Sequence, residues 1–324
     1  LASNKAQDSR WMTAAIALAG RGRGRTAPNP NVGCIIVRDG IVIGRGWTQP
    51  GGRPHAEAHA MAEAGDIAGA TLHVTLEPCA HASPRGPACA ETIAAAKPAR
   101  VAIAVQDPDP RTNGQGIARL RAAGIAVTTG VEEAAARASM AGFLTRQAKG
   151  RPHVTLKLAV SLDGRIALPD GSSRWITGPA ARAHAHLERA RHEMILVGRG
   201  TLEADRPRLD VRLPGLEARS PRRAVFGHGA APEGWTALRD LSDLATLDGV
   251  DHLFVEGGAG TAAAFLEADL VDRLLLYTAP IVVGAGQSAI GDIGLADLAH
   301  AHDRWRLTDT RTLGSDRLAI YERV

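Results

Sequence analysis

His55-Ala-Glu57, Thr75-Leu-Glu-Pro78-Cys79 and, ten residues on, Cys89 are the stretch from which the first half of this chain can be read. One imidazole and two thiolates are three ligands, which for zinc leaves the fourth tetrahedral position open to water, the arrangement of a catalytic rather than a structural site. Glu57, two residues after the first ligand, then stands where a proton carrier is needed. Residues 55 to 64 read as a helix, and side chains two apart on a helix diverge by about 200°, so His55 and Glu57 converge on one metal only at its N-terminal tip. Pro54 fits such a start. The thiolate of Cys89, at the head of a helix expected to run to Ala96, gains from the same polarity. His55 and His59 do not form a zincin pair, because that motif needs Glu directly after the first His.

A His-x-Glu followed by Pro-Cys and a second Cys is the signature of zinc deaminases, in which the non-ligand Glu shuttles protons. Length and composition agree with a soluble enzyme. A chain of 324 residues is long for one core, so two domains are expected. With 45% hydrophobic and 22% charged residues it is ordinary globular material, and with only 3% aromatics its cores must be packed by Ala, Val, Leu and Ile. A net charge of +4 suits an anionic ligand, but no Lys/Arg block interleaves with aromatics, which argues against nucleic acid and for a phosphorylated small molecule. Three cysteines make no disulfide framework, no signal-type or membrane-spanning apolar run is present, and a cytoplasmic, membrane-free protein is expected. Cys34, in the run GCIIV, reads as core.

In chain order, residues 9 to 20 have helical spacing with Ser9 as the expected cap. Pro28-Asn29-Pro30 locks a loop, where Asn29 either meets a ring edge or serves the turn. The strand CIIVR and its return IVIGRGW flank a hairpin turn at Asp39-Gly40. Strands and helices then alternate through ATLHVTL, ACAETIAAA, ARVAIAV, GIARLRAAG and IAVTT to a long helix from about Glu132 to Lys149, which implies βαβ units. Gly150-Arg151-Pro152 is the expected boundary, giving domains 1–149 and 150–324. The second half reads HVTLKLAV, a helix from about Pro179 to His192, MILVG, one strand (RRAVF) among the loops of 207–235, HLFVEGG, a helix TAAAFLEADL and closing strands. Gly198 to Thr201 and Gly257 to Thr261 each follow a strand and open a helix, which is how backbone amides are offered to phosphate, although neither is a clean dinucleotide fingerprint.

Laid end to end, these motifs resemble one family, the bifunctional deaminase/reductase of bacterial riboflavin biosynthesis. The resemblance rests on Pro28-Asn29-Pro30-Asn31-Val32-Gly33, His55-Ala-Glu57, Thr75-Leu-Glu-Pro-Cys-Ala-His81, Leu156-Lys-Leu, Ser161-Leu-Asp-Gly164, Ser173-Arg-Trp175-Ile-Thr177, Ile195-Leu-Val-Gly198, Gly200-Thr201 and Val255-Glu-Gly-Gly258. It implies an α/β protein: a cytidine-deaminase-like three-layer α/β/α domain followed by a dihydrofolate-reductase-like α/β domain. The first would use Zn2+ to deaminate a diaminopyrimidinone ribosylamino phosphate, and the second would use NADPH to reduce its ribosyl unit to ribityl. Carried over by residue, His55, Cys79 and Cys89 would bind zinc, Glu57 would be the acid/base, and Asn29 and His81 would contact the ring. Ala159, Trp175, Thr201, Asp205, Gly258, Ala259, Gly260 and Thr261 would line the NADPH site, while Ser173, Arg189, Leu209, Arg212 and Glu256 would face the substrate. A homo-oligomer is expected. Two departures stand out: the Cys79 to Cys89 loop is one residue longer than the family's, leaving Arg85 as a suspected phosphate contact, and Asp205-Arg206-Pro207 replaces Asp-Asp-Pro.

Read without the family, Trp175 can be core, Asp163 a turn residue and Glu256 a helix cap. Two other functions compete. A nucleic-acid or nucleoside deaminase would need basic and aromatic residues around the site, and only Trp47 is near. A structural zinc module would need a fourth protein ligand, for which His59, His73 and His81 are the candidates.

Overall fold

The computed structural model describes residues 2–81 and 85–324. It divides into two compact units, one ending at Gly150 and the other beginning at Arg151.

The first unit runs α1 (Ala2–Ala19), β1 (Gly33–Arg38), β2 (Ile41–Trp47), α2 (Ala56–Ala64), β3 (Thr71–Leu76), α3 (Cys89–Ala96), β4 (Arg100–Val105), α4 (Gln115–Ala122), β5 (Ala126–Thr129), α5 (Glu133–Ser139) and α6 (Ala141–Lys149). The strands form one sheet in the order β2-β1-β3-β4-β5, with β1 antiparallel to both neighbours and β3, β4 and β5 parallel. Asp39 and Gly40 take φ of 52° and 76°, the paired left-handed geometry that a two-residue hairpin turn demands. Strands β1 and β4 are nearly continuous in apolar residues because both faces are covered, and β3 between them alternates Leu and Val with the buried His73 and Thr75. Ile36, Leu72, Val74 and Ile103 are fully buried, and truncating one such side chain to Ala costs about 2–5 kcal/mol.

Two glycines let the helices lie close on the sheet. A Cβ on Gly33 would fall 1.9 Å from the Ala15 carbonyl oxygen of α1, and one on Gly46 would fall 2.1 Å from that of Ala56 in α2. The second contact fixes the end of α2 that carries His55 and Glu57. Asp8, on α1, accepts hydrogen bonds from Arg100 of β4 and pairs with His73 Nε2 of β3 at 3.0 Å, tying helix to sheet.

Two helix expectations need correction. Ser9 is inside α1 rather than its cap: the helix is already formed at Ala2, and the Ser9 hydroxyl donates to Glu132 instead. The single helix expected from Glu132 to Lys149 is broken at Met140, whose φ of −104° and ψ of 20° leave the helical region. The buried Asn31 side chain donates to the Ser139 carbonyl at 3.1 Å, competing with the helical ladder at the break.

The second unit runs β6 (His153–Val160), β7 (Arg165–Ala167), α7 (Pro179–Arg189), β8 (Met194–Gly198), α8 (Arg199–Asp205), β9 (Arg222–Phe226), β10 (Trp235–Leu238), β11 (His252–Val255), α9 (Ala259–Glu267), β12 (Arg273–Thr278), β13 (Gln287–Ser288), β14 (Trp305–Leu313) and β15 (Asp316–Arg323). Its main sheet has the order β10-β9-β8-β11-β6-β12-β15-β14, parallel from β10 to β12 and antiparallel beyond. The C-terminal ends of β6, β11, β8 and β9 therefore share one edge, where ligands bind in open α/β sheets. The 207–235 region holds the one expected strand, β9, with β10 beginning at its last residue, Trp235, and β7 and β13 form a separate two-stranded ribbon. Asp163 serves the turn before β7 and also reaches across: its carboxylate accepts the amides of Val283 and Gly284 at 3.1 and 2.7 Å. None of the helices among the described residues is long and apolar enough to cross a membrane.

Candidate active sites

At the first site, three elements deliver one donor each. His55 is the N-cap of α2, Cys79 lies just beyond β3, and Cys89 is the first residue of α3. His55 Nδ1 stands 3.7 Å from Cys79 Sγ and 3.4 Å from Cys89 Sγ, and the three donors lie within 4.8 Å of one another. Bonds of about 2.3 Å to sulfur and 2.0–2.1 Å to nitrogen in a tetrahedron put such donors about 3.5–3.8 Å apart, so this set fits zinc. Both cysteines are buried. A hydrogen bond with Cys89 is the main cause holding the Cys79 thiol down to about 4, against burial, and the Cys89 thiol is raised in turn. The pair thus retains a single proton, which a bound cation displaces.

Glu57 is 4% exposed and lies beside the donors, in hydrogen-bond contact with Cys89. Burial, opposed mainly by the neighbouring His55, lifts its carboxyl to about 6. A carboxyl poised there can hold and release a proton near neutral pH. Among the described residues no fourth protein ligand joins the set. His59 Nδ1 is 3.2 Å from Gln49, His73 pairs with Asp8, and His81 Nδ1 is 3.3 Å from the Thr112 hydroxyl. The open fourth position that a catalytic metal needs is retained.

Asn29 and His81, the expected ring contacts, flank this site from different loops. The Asn29 amide nitrogen donates to the Gly52 carbonyl at 3.1 Å and lies 3.0 Å from His55 Nε2, which places Asn29 against the first ligand. Arg85 donates to the Gly51 carbonyl at 2.8 Å. Sequence reading passed over Glu77, Asp107 and Thr112. Glu77 accepts the amides of Asp107, Gly114 and Ile117 at 3.2, 2.9 and 3.1 Å and so fixes the loop that brings Thr112 to His81. Burial lifts the Asp107 carboxyl to about 6, with the acidic neighbours Asp109 and Glu77 adding to the rise. The only signal for this loop was its Asp-Pro-Asp-Pro run, which reads simply as a turn.

The second unit holds a cleft of about 910 Å³, large for a small-molecule site. Every residue expected there lines it: Ala159, Trp175, Thr201, Asp205, Gly258, Ala259, Gly260 and Thr261 of the cofactor set, and Ser173, Arg189, Leu209, Arg212 and Glu256 of the substrate set. Trp175 is 64% exposed, so it is a wall of the cleft and not core. Leu209 is buried with φ of 54°, a left-handed conformation costly for leucine. The turn after β11 lines the cleft with Gly257, Gly258 and Gly260. Nothing lies within 4 Å of where a Cβ on Gly200 or Gly260 would be. The first amides of α9, which no helical carbonyl can satisfy, head the turn beside that open space. These residues fit a phosphate-bearing dinucleotide.

Lys157, Arg189 and Glu256 form a part-buried charge cluster in the cleft. Glu256 does not cap α9, whose N-cap is Gly258. Its carboxylate instead accepts two hydrogen bonds from Arg189, at 2.6 and 2.9 Å, with Lys157 Nζ at 4.0 Å. Burial, the largest influence on Glu256, is outweighed by Arg189 and Lys157, and the carboxyl sits at about 2. Lys157 is shifted the other way, its burial pushing the ammonium pKa down against the pull of Glu256. The guanidinium of Arg189 is committed to Glu256 and to the Asp210 carbonyl, whereas Arg212 is half exposed, its nearest carboxylate Asp210 at 3.4 Å. Lys157 was not singled out from sequence, although it is the middle residue of Leu156-Lys-Leu.

Both units match described families. Residues 5–105 match the cytidine and deoxycytidylate deaminase zinc-binding region, and residues 152–240 and 235–319 match the RibD C-terminal domain. The riboflavin biosynthesis protein RibD of Escherichia coli is 38% identical, over 96% of this chain and 98% of its own. The chain belongs to the RibD family. It is a bifunctional enzyme of riboflavin biosynthesis, a zinc-dependent deaminase joined to an NADPH-dependent reductase, with the deaminase-like and dihydrofolate-reductase-like folds the motifs implied. Among solved structures, RibD of Acinetobacter baumannii superposes with a TM-score of 0.89 at 35% identity, covering 99% of each chain. A diaminohydroxyphosphoribosylaminopyrimidine deaminase/5-amino-6-(5-phosphoribosylamino)uracil reductase from Thermotoga maritima gives 0.87 at 30% identity, covering 99% of this chain and 100% of that one.

Proposed function

We propose that the unit ending at Gly150 is the deaminase and the unit from Arg151 the reductase, and that the pair converts a diaminopyrimidinone ribosylamino 5′-phosphate first to its deaminated form and then to the ribityl product. The observation that carries this is the coexistence of two complete sites of different chemistry: a three-donor metal set with a buried carboxyl beside it, and a glycine-cradled cleft with a paired charge cluster.

In the deaminase, His55, Cys79 and Cys89 would hold zinc, which would supply a Lewis acid and a bound water whose pKa is lowered toward about 7. Glu57 takes the proton of the attacking water, returns it to the ring nitrogen and passes a second to the departing ammonia. Asn29 and His81 orient the ring. In the reductase, NADPH supplies the hydride. Ala159, Trp175, Thr201, Asp205 and the turn from Gly258 to Thr261 hold it. Ser173, Leu209 and Arg212 contact the substrate, with Arg212 available for its phosphate. Glu256, held ionised by Arg189, keeps the buried Lys157 charged and in place against the sugar. The protein acts on a small molecule in the cytoplasm, without nucleic acid or membrane, as a homo-oligomer.

The test is a sequential product assay. Purified zinc-loaded protein given the diaminopyrimidinone phosphate should release one ammonia and then, on addition of NADPH, oxidise one equivalent. Ammonia release without NADPH oxidation would remove the reductase assignment.

A further inference from the structure

Strand β12 runs parallel to β6, with Leu275 opposite Lys157 and Tyr277 opposite Ala159. Side chains two residues apart on a strand share a face, so the Tyr277 ring stands on the Lys157 face, further toward the strand ends where the cleft opens. There the Lys157 ammonium lies 6.0 Å from the centroid of the ring. Cations within about 6 Å of an aromatic face are attracted by its negative quadrupole, more strongly where water is excluded.

The ring is locked in place. Tyr277 is 1% exposed and packs in one core cluster with Phe254, Leu275 and Leu318. Its hydroxyl meets His184 Nδ1 of α7 at 2.8 Å. Arg311, which can only donate, lies 3.4 Å from His184 Nε2, so that nitrogen accepts and Nδ1 gives its hydrogen to the Tyr277 oxygen. Burial, and then Glu188 and Glu256, push the Tyr277 hydroxyl above its ordinary range, and the ring stays neutral where a lysine titrates.

Lys157 needs that ring. Burial pushes its ammonium down, Glu256 at the end of β11 pulls it up, and Arg189 of α7 opposes Glu256. The carboxylate is already taken by Arg189 at 2.6 and 2.9 Å, and Lys157 has only the 4.0 Å contact. Among the described residues the Tyr277 ring is the other neighbour that favours the charged form. Helix α7 sets both neighbours, since it carries His184 against the ring and Arg189 on the carboxylate.

We propose that Tyr277 is a positioning residue of the reductase: its ring face keeps the Lys157 ammonium charged and in place against the sugar, and His184 holds the ring through its hydroxyl. The inference rests on the reading of Lys157 as the charge that meets the sugar.

The test follows reduction of the deaminated substrate by the full-length, zinc-loaded protein across pH. The wild-type kcat should fall on the alkaline side as Lys157 loses its proton. Tyr277→Phe keeps the ring, loses only the His184 bond and should leave that limb where it is. Pentafluorophenylalanine, placed at position 277 by stop-codon suppression, keeps the ring's shape but removes the negative charge of its face. It should move the alkaline limb down by about one pH unit, the size of a shielded cation–ring contact, and leave the KM for NADPH unchanged. A ring that served only packing would not shift the limb. Circular dichroism and unchanged ammonia release show that the variants are folded. A folded fluorinated protein with the wild-type limb, or a Tyr277→Phe protein shifted as far as the fluorinated one, overturns the proposal alone. A Lys157→Met protein that reduces the substrate at the wild-type rate overturns the reading of Lys157 and the proposal with it.

Discussion

The two sites solve the same problem, placing charge against a small anionic substrate, by opposite means. The deaminase site is compact. Its three candidate metal donors and the buried Glu57 carboxyl lie between residues 55 and 89, each at the tip of a helix or just past a strand. The reductase site is spread from Lys157 to Gln287; its Glu256 carboxylate is shared by Arg189 and Lys157, while further arginines line its walls. A metal concentrates chemistry at a point, so a few side chains suffice to hold it. A dinucleotide and a phosphosugar are long, so their site needs a sheet edge, a glycine turn and walls drawn from several connections.

The largest expected effect belongs to the compact site. Cys79→Ser or Cys89→Ser should lose zinc and all measurable deaminase activity, because a neutral hydroxyl is a far poorer ligand than a thiolate. Metal analysis and ammonia release check this, and a Ser variant with full zinc content would dissolve the three-donor site. Glu57→Gln keeps shape and should keep zinc while slowing ammonia release by about 10²-fold or more. Near-normal turnover would make Glu57 structural.

The distributed site should fail differently, through stability as well as rate. Arg189→Ala strips a buried carboxylate of its bidentate partner and should cost about 3–5 kcal/mol, as broken buried pairs do, together with the loss of reduction. Denaturant unfolding followed in the second unit measures it. A cost near zero would show that Lys157 alone holds Glu256.

The smallest effect is a pH dependence. The Glu256 carboxyl sits at about 2 when folded, against 4.5 for a free glutamate side chain. Because the folded value is depressed, its contribution to stability is fully present above about 4.5 and is lost as pH falls from there toward 2. Glu256→Gln should flatten the unfolding curve across that window while lowering stability at neutral pH. An unchanged acid limb would mean that other carboxylates, such as Asp272 paired with Arg151, govern it.

The contrast also explains what the sequence made legible. Metal donors at element ends are visible because helix starts, prolines and strand ends mark their own positions, and His55, Glu57, Cys79 and Cys89 all stand at such marks. Long-range pairing leaves no such trace. Arg189 and Glu256 are 67 residues apart and meet only because α7 and β11 are packed together. Asn31, which competes for the Ser139 carbonyl at the α5–α6 break, acts across 108 residues and is equally silent in a local pattern. Strands as short as β7, β10 and β13 carry too few residues to show a period of two, so the ribbon on the cleft's rim became visible only in three dimensions. Arg206 takes φ of 43° as the C-cap of α8, a left-handed position that explains no preference for arginine over the family's aspartate.

The central claim is that two independent chemistries occupy one chain, and Glu57→Gln tests it most directly. That protein, shown to be folded by circular dichroism and zinc-replete by metal analysis, is given the already deaminated substrate and NADPH, and the loss of reduced coenzyme is followed. Oxidation at the wild-type rate, with ammonia release from the diaminopyrimidinone phosphate down about 10²-fold or more, is the predicted result. A folded, zinc-replete Glu57→Gln protein that cannot reduce the deaminated substrate would contradict two separate sites and require a single composite one.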